Sequence, residues 1–173
     1  MDRRFDEMTG CREHENPAAR TAAAANLGIV RPPLVYLSSV LTGIVVHIAW
    51  PLPFLPPALA LPGGSSLVVL AIALFSCSVR ELWAAGTPVP GSKPTTVVVR
   101  TGPYRLSRNP IYLAFSMLHL GMAIWVNSVW LVATLMVTVA VMAIVVIPRE
   151  ERYLEGRFGT EYLEYKASVR CWL

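Results

Sequence analysis

Charged side chains are missing from two long stretches of this chain: none lies in the 48 residues from Pro32 to Val79, and none in the 40 from Asn109 to Pro148. In a chain of 173 residues those tracts cover half the molecule. A soluble domain of this size buries too little of its surface to hide so much apolar chain. Tracts of that length do match what a bilayer demands of spanning elements. With 54% hydrophobic and 15% charged residues, the composition also excludes intrinsic disorder. The expected fold class is all-α: a polytopic membrane protein with four transmembrane helices and a cytoplasmic C-terminal helical segment.

The tracts divide where the chain must turn. PLPFLPPALALPGG, with its prolines and glycine pair, interrupts the first and leaves spans at about 33–50 and 65–83, joined by a turn over 51–64. A continuous helix over the second tract would reach about 60 Å, twice a hydrocarbon core of about 30 Å. Asn127-Ser128, between Trp125 and Trp130, is the natural turn at a membrane surface, giving spans at about 111–126 and 129–147. Residues 1–31 read as a cytoplasmic N-terminal arm; their first ten, MDRRFDEMTG, lack the apolar run of a cleaved signal peptide. Cys11, Cys77 and Cys171 form no CxxC pattern and read as free thiols.

With four spans, both termini and the 80–110 segment share one side of the membrane. That side carries all 15 basic residues, and the connections at 51–64 and 127–128 carry none. The asymmetry puts the basic face in the cytoplasm and implies a bacterial inner membrane location with both termini cytoplasmic. Attraction to anionic headgroups accounts for Arg80, Lys93 and Arg100. It accounts less well for the two arginines inside TGPYRLSRNPIY.

Two cytoplasmic elements carry the chemistry. In the loop over 97–112, Thr101-Gly102-Pro103 reads as a turn, and Asn109-Pro110 as a helix start with Asn109 as its cap. Tyr104, Arg105, Arg108, Asn109 and Tyr112 gather donors and aromatic surface beside that start, where an anion or carboxylate binds readily. A well-capped membrane helix is the plainer account of the same residues. The second element, 148–170, reads as a helix from Pro148 with an apolar stripe at Leu154, Phe158, Tyr162 and Tyr165, weakened at Gly156 and Gly159. Glu150 and Glu151 fall in its first turn, as a favourable cap or as a site for a cationic group. A hairpin of the last two spans brings the two elements to one membrane surface. A small zwitterionic cofactor could bridge them.

These motifs, TGPYRLSRNPIY followed by a membrane hairpin and EERYLEGRFGTEYLEYKASVR, resemble the isoprenylcysteine carboxyl methyltransferase and phospholipid methyltransferase superfamily of integral membrane enzymes over about residues 80–170. The resemblance implies S-adenosyl-L-methionine as cofactor and residues 32–173 as the membrane methyltransferase domain. It implies a cofactor site lined by Tyr104, Asn109, Pro110, Ile111 and Tyr112. Glu150 would engage the cofactor and Glu151 support it, with backbone contacts from Thr96–Val99, including Val98 and Val99. Arg105 and Arg108 would steady the loop or a carboxylate. The implied partners are the lipid bilayer and a lipophilic small-molecule or prenylated acceptor, an isoprenylcysteine-like carboxylate or a lipid-like amine or thiol; no nucleic acid and no metal is expected. Asn109 stands where the eukaryotic carboxyl methyltransferases have histidine, and Val146 where they have a substrate-side arginine.

Of the two histidines within spans, His119 is the substrate-side candidate, together with Arg149; a neutral histidine bonded to a neighbouring helix is the plainer account of each. No dedicated general base stands out. Two rival functions follow from the same sequence: an NADPH-dependent membrane reductase related to the sterol reductases, and a non-enzymatic helical membrane scaffold.

Overall fold

Proline opens three of the helices, at the first position, where its missing N–H has no intrahelical acceptor to lose. The computed structural model describes residues 31–89 and 95–172. The expectations for the N-terminal arm, Cys11 and Lys93 lie outside the described residues. Helix α1 spans Pro32–Ala49, α2 Pro57–Ala84 and α3 Pro110–Trp125. A 3₁₀ turn, Gly102–Arg105, precedes α3. Helix α4, Val129–Val141, runs through a π-helical turn, Met142–Val146, into α5, Ile147–Phe158; α6 is Thr160–Ser168.

The architecture is all-α, and three helices are long and apolar enough to cross a membrane: Pro32–Ala49, Pro57–Ala84 and the continuous rod Val129–Phe158. Helix α3 is apolar but has only 16 residues, about 24 Å of rise. Outward-facing α1 side chains form a lipid-compatible stripe, with Leu37, Leu41 and Ile48 respectively 54%, 54% and 76% exposed.

Three expectations are corrected here, two of them at prolines. The break over 51–64 is shorter than predicted, because α2 starts at Pro57 rather than at 65. Pro62 lies inside the helix at an exposed position near its start, where the loss of one ladder bond is tolerated. Likewise, Pro148 does not begin a new helix. Its ring and missing N–H conflict with the Ile144 carbonyl, and the chain answers with the wide turn just upstream, where the Ile147 N–H reaches back five residues to Met142. The predicted single helix over 148–170 breaks instead at Gly159, whose φ of +55° suits glycine.

The closest helix contact is α2 on α3, and two small residues permit it. A Cβ on Gly64 would stand 2.7 Å from the Trp125 backbone nitrogen, and one on Gly121 would stand 2.8 Å from Val68 Cγ2. In lipid, where no hydrophobic force drives helices together, such close approach lets dispersion and backbone contacts do so. At the end without charges, Asn127 joins the two connections. Its Oδ1 accepts from the Phe54 and Leu55 amides at 3.0 and 2.9 Å, and its Nδ2 donates to the Leu55 carbonyl at 2.7 Å. The opposite end holds the main core, where Tyr36, Leu82, Tyr104, Tyr112, Met142 and Val146 pack together.

Candidate active site

The loop leading to α3 is shaped from both sides. Thr101 Oγ1 donates to Glu81 Oε2 at 2.5 Å, docking the loop on the end of α2. Gly102 follows with φ +55°, and a Cβ there would meet Glu81 Cγ at 2.8 Å. The 3₁₀ turn then directs Tyr104 inward, 7% exposed, and leaves Arg105 and Leu106 outside. Asn109 precedes α3 but makes no side-chain cap, which corrects the expectation for it. Its Nδ2 donates to the Cys171 carbonyl at 3.1 Å, and its own N–H is taken by Ser107 Oγ at 3.1 Å. Residues 169–171, folded back over the loop, compete successfully for the amide.

The two glutamates point to different places because neighbours on a helix diverge by about 100°. Glu150 Oε2 accepts from the Tyr112 hydroxyl at 2.7 Å. Glu151 is 12% exposed and lies in an ion network instead. Its Oε1 accepts from Arg108 Nε at 3.0 Å and Nη2 at 2.8 Å, and its Oε2 faces Lys166 Nζ at 2.8 Å. Arg108 Nη1 donates to the carbonyls of Lys166 and Val169 at 2.8 and 2.6 Å. These bonds occupy the guanidinium, so Arg108 holds the loop against α5 and α6. Bonds to Glu151 first and Glu155 second raise the Lys166 pKa.

Tyr165 on α6 donates to the Tyr104 carbonyl at 2.7 Å. Burial, opposed by Arg108 and Arg100, pushes the Tyr165 hydroxyl up to about 12. The Tyr104 hydroxyl is buried and has no hydrogen-bond partner among the described residues. Burial, with Tyr165 and Glu150 nearby, raises its pKa as well, so it stays a neutral donor.

A cleft opens at this point. Tyr104, Arg108, Asn109, Pro110, Ile111, Tyr112 and Glu150 line it, opposite an apolar wall of Pro32, Pro33, Phe75, Val89 and Phe115. Its open space, mouth included, is about 610 Å³. Seven of the residues singled out in the sequence therefore meet around one cleft. The others lie elsewhere. Val99 is in the core and Val98 beside it is half-buried. Arg105 and Arg149 are exposed, and Glu151 stands behind the cleft. His119 is 1% exposed, with Nδ1 3.3 Å from Ser39 Oγ and Nε2 3.4 Å from Thr134 Oγ1, as a core histidine bonded to neighbouring helices. The apolar wall had no signal in the sequence, since Phe75 and Phe115 stand in apolar tracts where every side chain looks lipid-facing. Nor did the tail, whose Val169, Arg170 and Cys171 carbonyls accept from residues 107–109.

Residues 59–161 match the phospholipid methyltransferase family, and the chain belongs to that family. Its reaction is accordingly methyl transfer, and its cofactor is S-adenosylmethionine, which selects against the reductase and scaffold readings. Among curated proteins, it is 35% identical over 63 residues to an uncharacterized protein of Haemophilus influenzae, covering 36% of this chain and 100% of that one. It is 33% identical over 129 residues to the cobalt-zinc-cadmium resistance protein CzcN of Cupriavidus metallidurans, covering 75% of this chain and 54% of CzcN. The chain thus spans about half the length of that relative. No solved structure matches.

Proposed function

We propose that this cleft binds S-adenosylmethionine on the cytoplasmic side of the membrane and methylates a small lipophilic acceptor that meets it from the bilayer. The observation that carries the reading is the buried Tyr104 hydroxyl, without a partner among the described residues, at a cleft that also presents the Tyr112–Glu150 pair. A buried donor left without an acceptor costs roughly 1–3 kcal/mol, and a polar ligand in the cleft removes that cost. In this reading four apolar helices cross the bilayer, α3 with its ends snorkelling, and all 15 basic residues lie on the cytoplasmic side.

The donor set fits the cofactor. Glu150, its Oε2 held by Tyr112, takes the ammonium of the amino-acid group. The first-turn amides of Ile111 and Tyr112, which have no intrahelical acceptors, suit its carboxylate. When bound, the cofactor supplies a methyl group already activated on a sulfonium centre. The protein therefore has to align and desolvate the acceptor, and the wall of Phe75, Phe115, Pro32 and Pro33 excludes water for that purpose. An isoprenylcysteine-like carboxylate and a lipid-like amine or thiol are both acceptors of this description. A carboxylate attacks without a base, whereas an amine or thiol must first lose its proton.

The test is equilibrium binding of S-adenosylmethionine and of NADPH to the full chain in detergent, with Tyr104→Phe and Glu150→Gln beside the wild type. Wild-type protein binds S-adenosylmethionine alone, and each variant binds it at least about tenfold more weakly. A folded wild-type sample that does not bind it refutes the proposal.

A further inference from the structure

The FGTEYLEY stretch carries two buried tyrosines, Tyr162 and Tyr165, and neither lines the cleft. We propose that Tyr165 is a positioning residue for methyl transfer: by holding the Tyr104 carbonyl it sets where the Tyr104 hydroxyl stands in the cleft. The inference rests on the cofactor-site reading above and extends it to a residue on another element.

Tyr104 sits in a 3₁₀ turn of four residues, entered through a glycine at φ +55°. A turn that short has little stability of its own. Within the loop, the Tyr104 amide bonds only as far back as the Thr101 carbonyl, at 3.1 Å. The external anchor is the Tyr165 hydroxyl, 2.7 Å from the Tyr104 carbonyl, on a residue 4% exposed.

The contacts on either side make that anchor part of a register. Arg100 Nη2 donates to the Glu161 carbonyl, and its guanidinium lies 5.9 Å from the centre of the Tyr165 ring. Further on, Arg108 donates to the Lys166 and Val169 carbonyls, and Asn109 to the Cys171 carbonyl. Residues 100–109 and 161–171 therefore run side by side in the same direction. Tyr165 joins them at the middle, at Tyr104, whose hydroxyl is buried without a partner among the described residues. Removing its oxygen leaves the Tyr104 carbonyl without this donor and releases the turn to shift. Sites of this kind lose function with displacements of well under an ångström.

Tyr165→Phe removes one oxygen and keeps the ring, including its edge contact with Tyr162 at 6.1 Å. S-adenosylmethionine affinity is measured calorimetrically on the full chain in detergent for wild type, Tyr165→Phe, Tyr104→Phe and the double variant. Tyr162→Phe is the packing control, and thermal unfolding checks each fold. Tyr165→Phe is expected to weaken binding about three- to tenfold. The double variant is expected to bind no more weakly than Tyr104→Phe alone, because Tyr165 acts only through that hydroxyl. Additive losses overturn the proposal, as does an equal loss in Tyr162→Phe. Wild-type affinity in Tyr165→Phe beside weakened Tyr104→Phe overturns it while leaving the cofactor site intact. Undiminished affinity in Tyr104→Phe refutes the cofactor site itself and this inference with it.

Discussion

Replacing Arg108 by methionine removes the side chain that ties three segments together while keeping much of its apolar length. Four hydrogen bonds are lost: two to Glu151 Oε1 and one each to the carbonyls of Lys166 and Val169. Arg108 and Glu151 are 10% and 12% exposed, so water replaces these bonds poorly. Breaking a buried ion pair from one side costs about 3–5 kcal/mol. Here Lys166 still faces the other Glu151 oxygen at 2.8 Å and compensates part of the stranded charge. The expected loss is therefore about 2–3 kcal/mol, discounted from that range. For a chain of this size it corresponds to a fall of about 5–10 °C in unfolding temperature. The assay is thermal unfolding in detergent at fixed lipid content, followed by tryptophan fluorescence. Lysine at this position restores little, because an ammonium cannot serve Glu151 and two carbonyls with the geometry of a guanidinium. A fall of less than about 2 °C, or full rescue by lysine, refutes the argument that this network holds the loop in place.

Two further predictions follow from packing and titration. Gly64→Ala forces the α2–α3 contact apart and costs about 1–3 kcal/mol, whereas Gly63→Ala is tolerated, its Cβ meeting Ile124 Cγ2 at 3.6 Å. Equal unfolding temperatures for the two variants refute the close-approach account. Tyr165 titrates at 10.0 in its unperturbed state and near 12 in the fold. Its neutral form is thus favoured by folding, and that contribution is complete below pH 10 and lost as pH rises towards 12. Stability of wild type is expected to fall more steeply than that of Tyr165→Phe over that window; parallel curves contradict the burial assigned to this hydroxyl.

Much of the helical plan was legible in the charges, because a side chain that must stay wet marks where the chain leaves the bilayer. Pro62 and Pro148 misled for one reason: a proline's cost depends on what its ring and the orphaned carbonyl meet, and that is set by tertiary structure. That Tyr104 and Tyr112 would come together with Glu150 was legible from the membrane hairpin, which returns the chain to the surface it left. Arg108 does steady the loop, as the resemblance implied, but the partners of Arg108 and Asn109 were not legible. The sequence presents their donors without naming acceptors, and the acceptors are the Glu151 carboxylate and backbone carbonyls, 43 to 62 residues away. Phe75 and Phe115 were invisible as cleft residues, since an aromatic ring facing lipid and one facing a ligand cavity have identical sequence surroundings.

The central claim is a location: S-adenosylmethionine between the 3₁₀ turn, the start of α3 and Glu150. Amide hydrogen exchange of the full chain in detergent, with and without S-adenosylmethionine, tests it directly. The account predicts that the cofactor slows exchange in peptides covering 102–112 and 147–155 and leaves those covering 50–56 and 126–130 unchanged. Binding accompanied by protection at the second pair of segments and none at the first would contradict it.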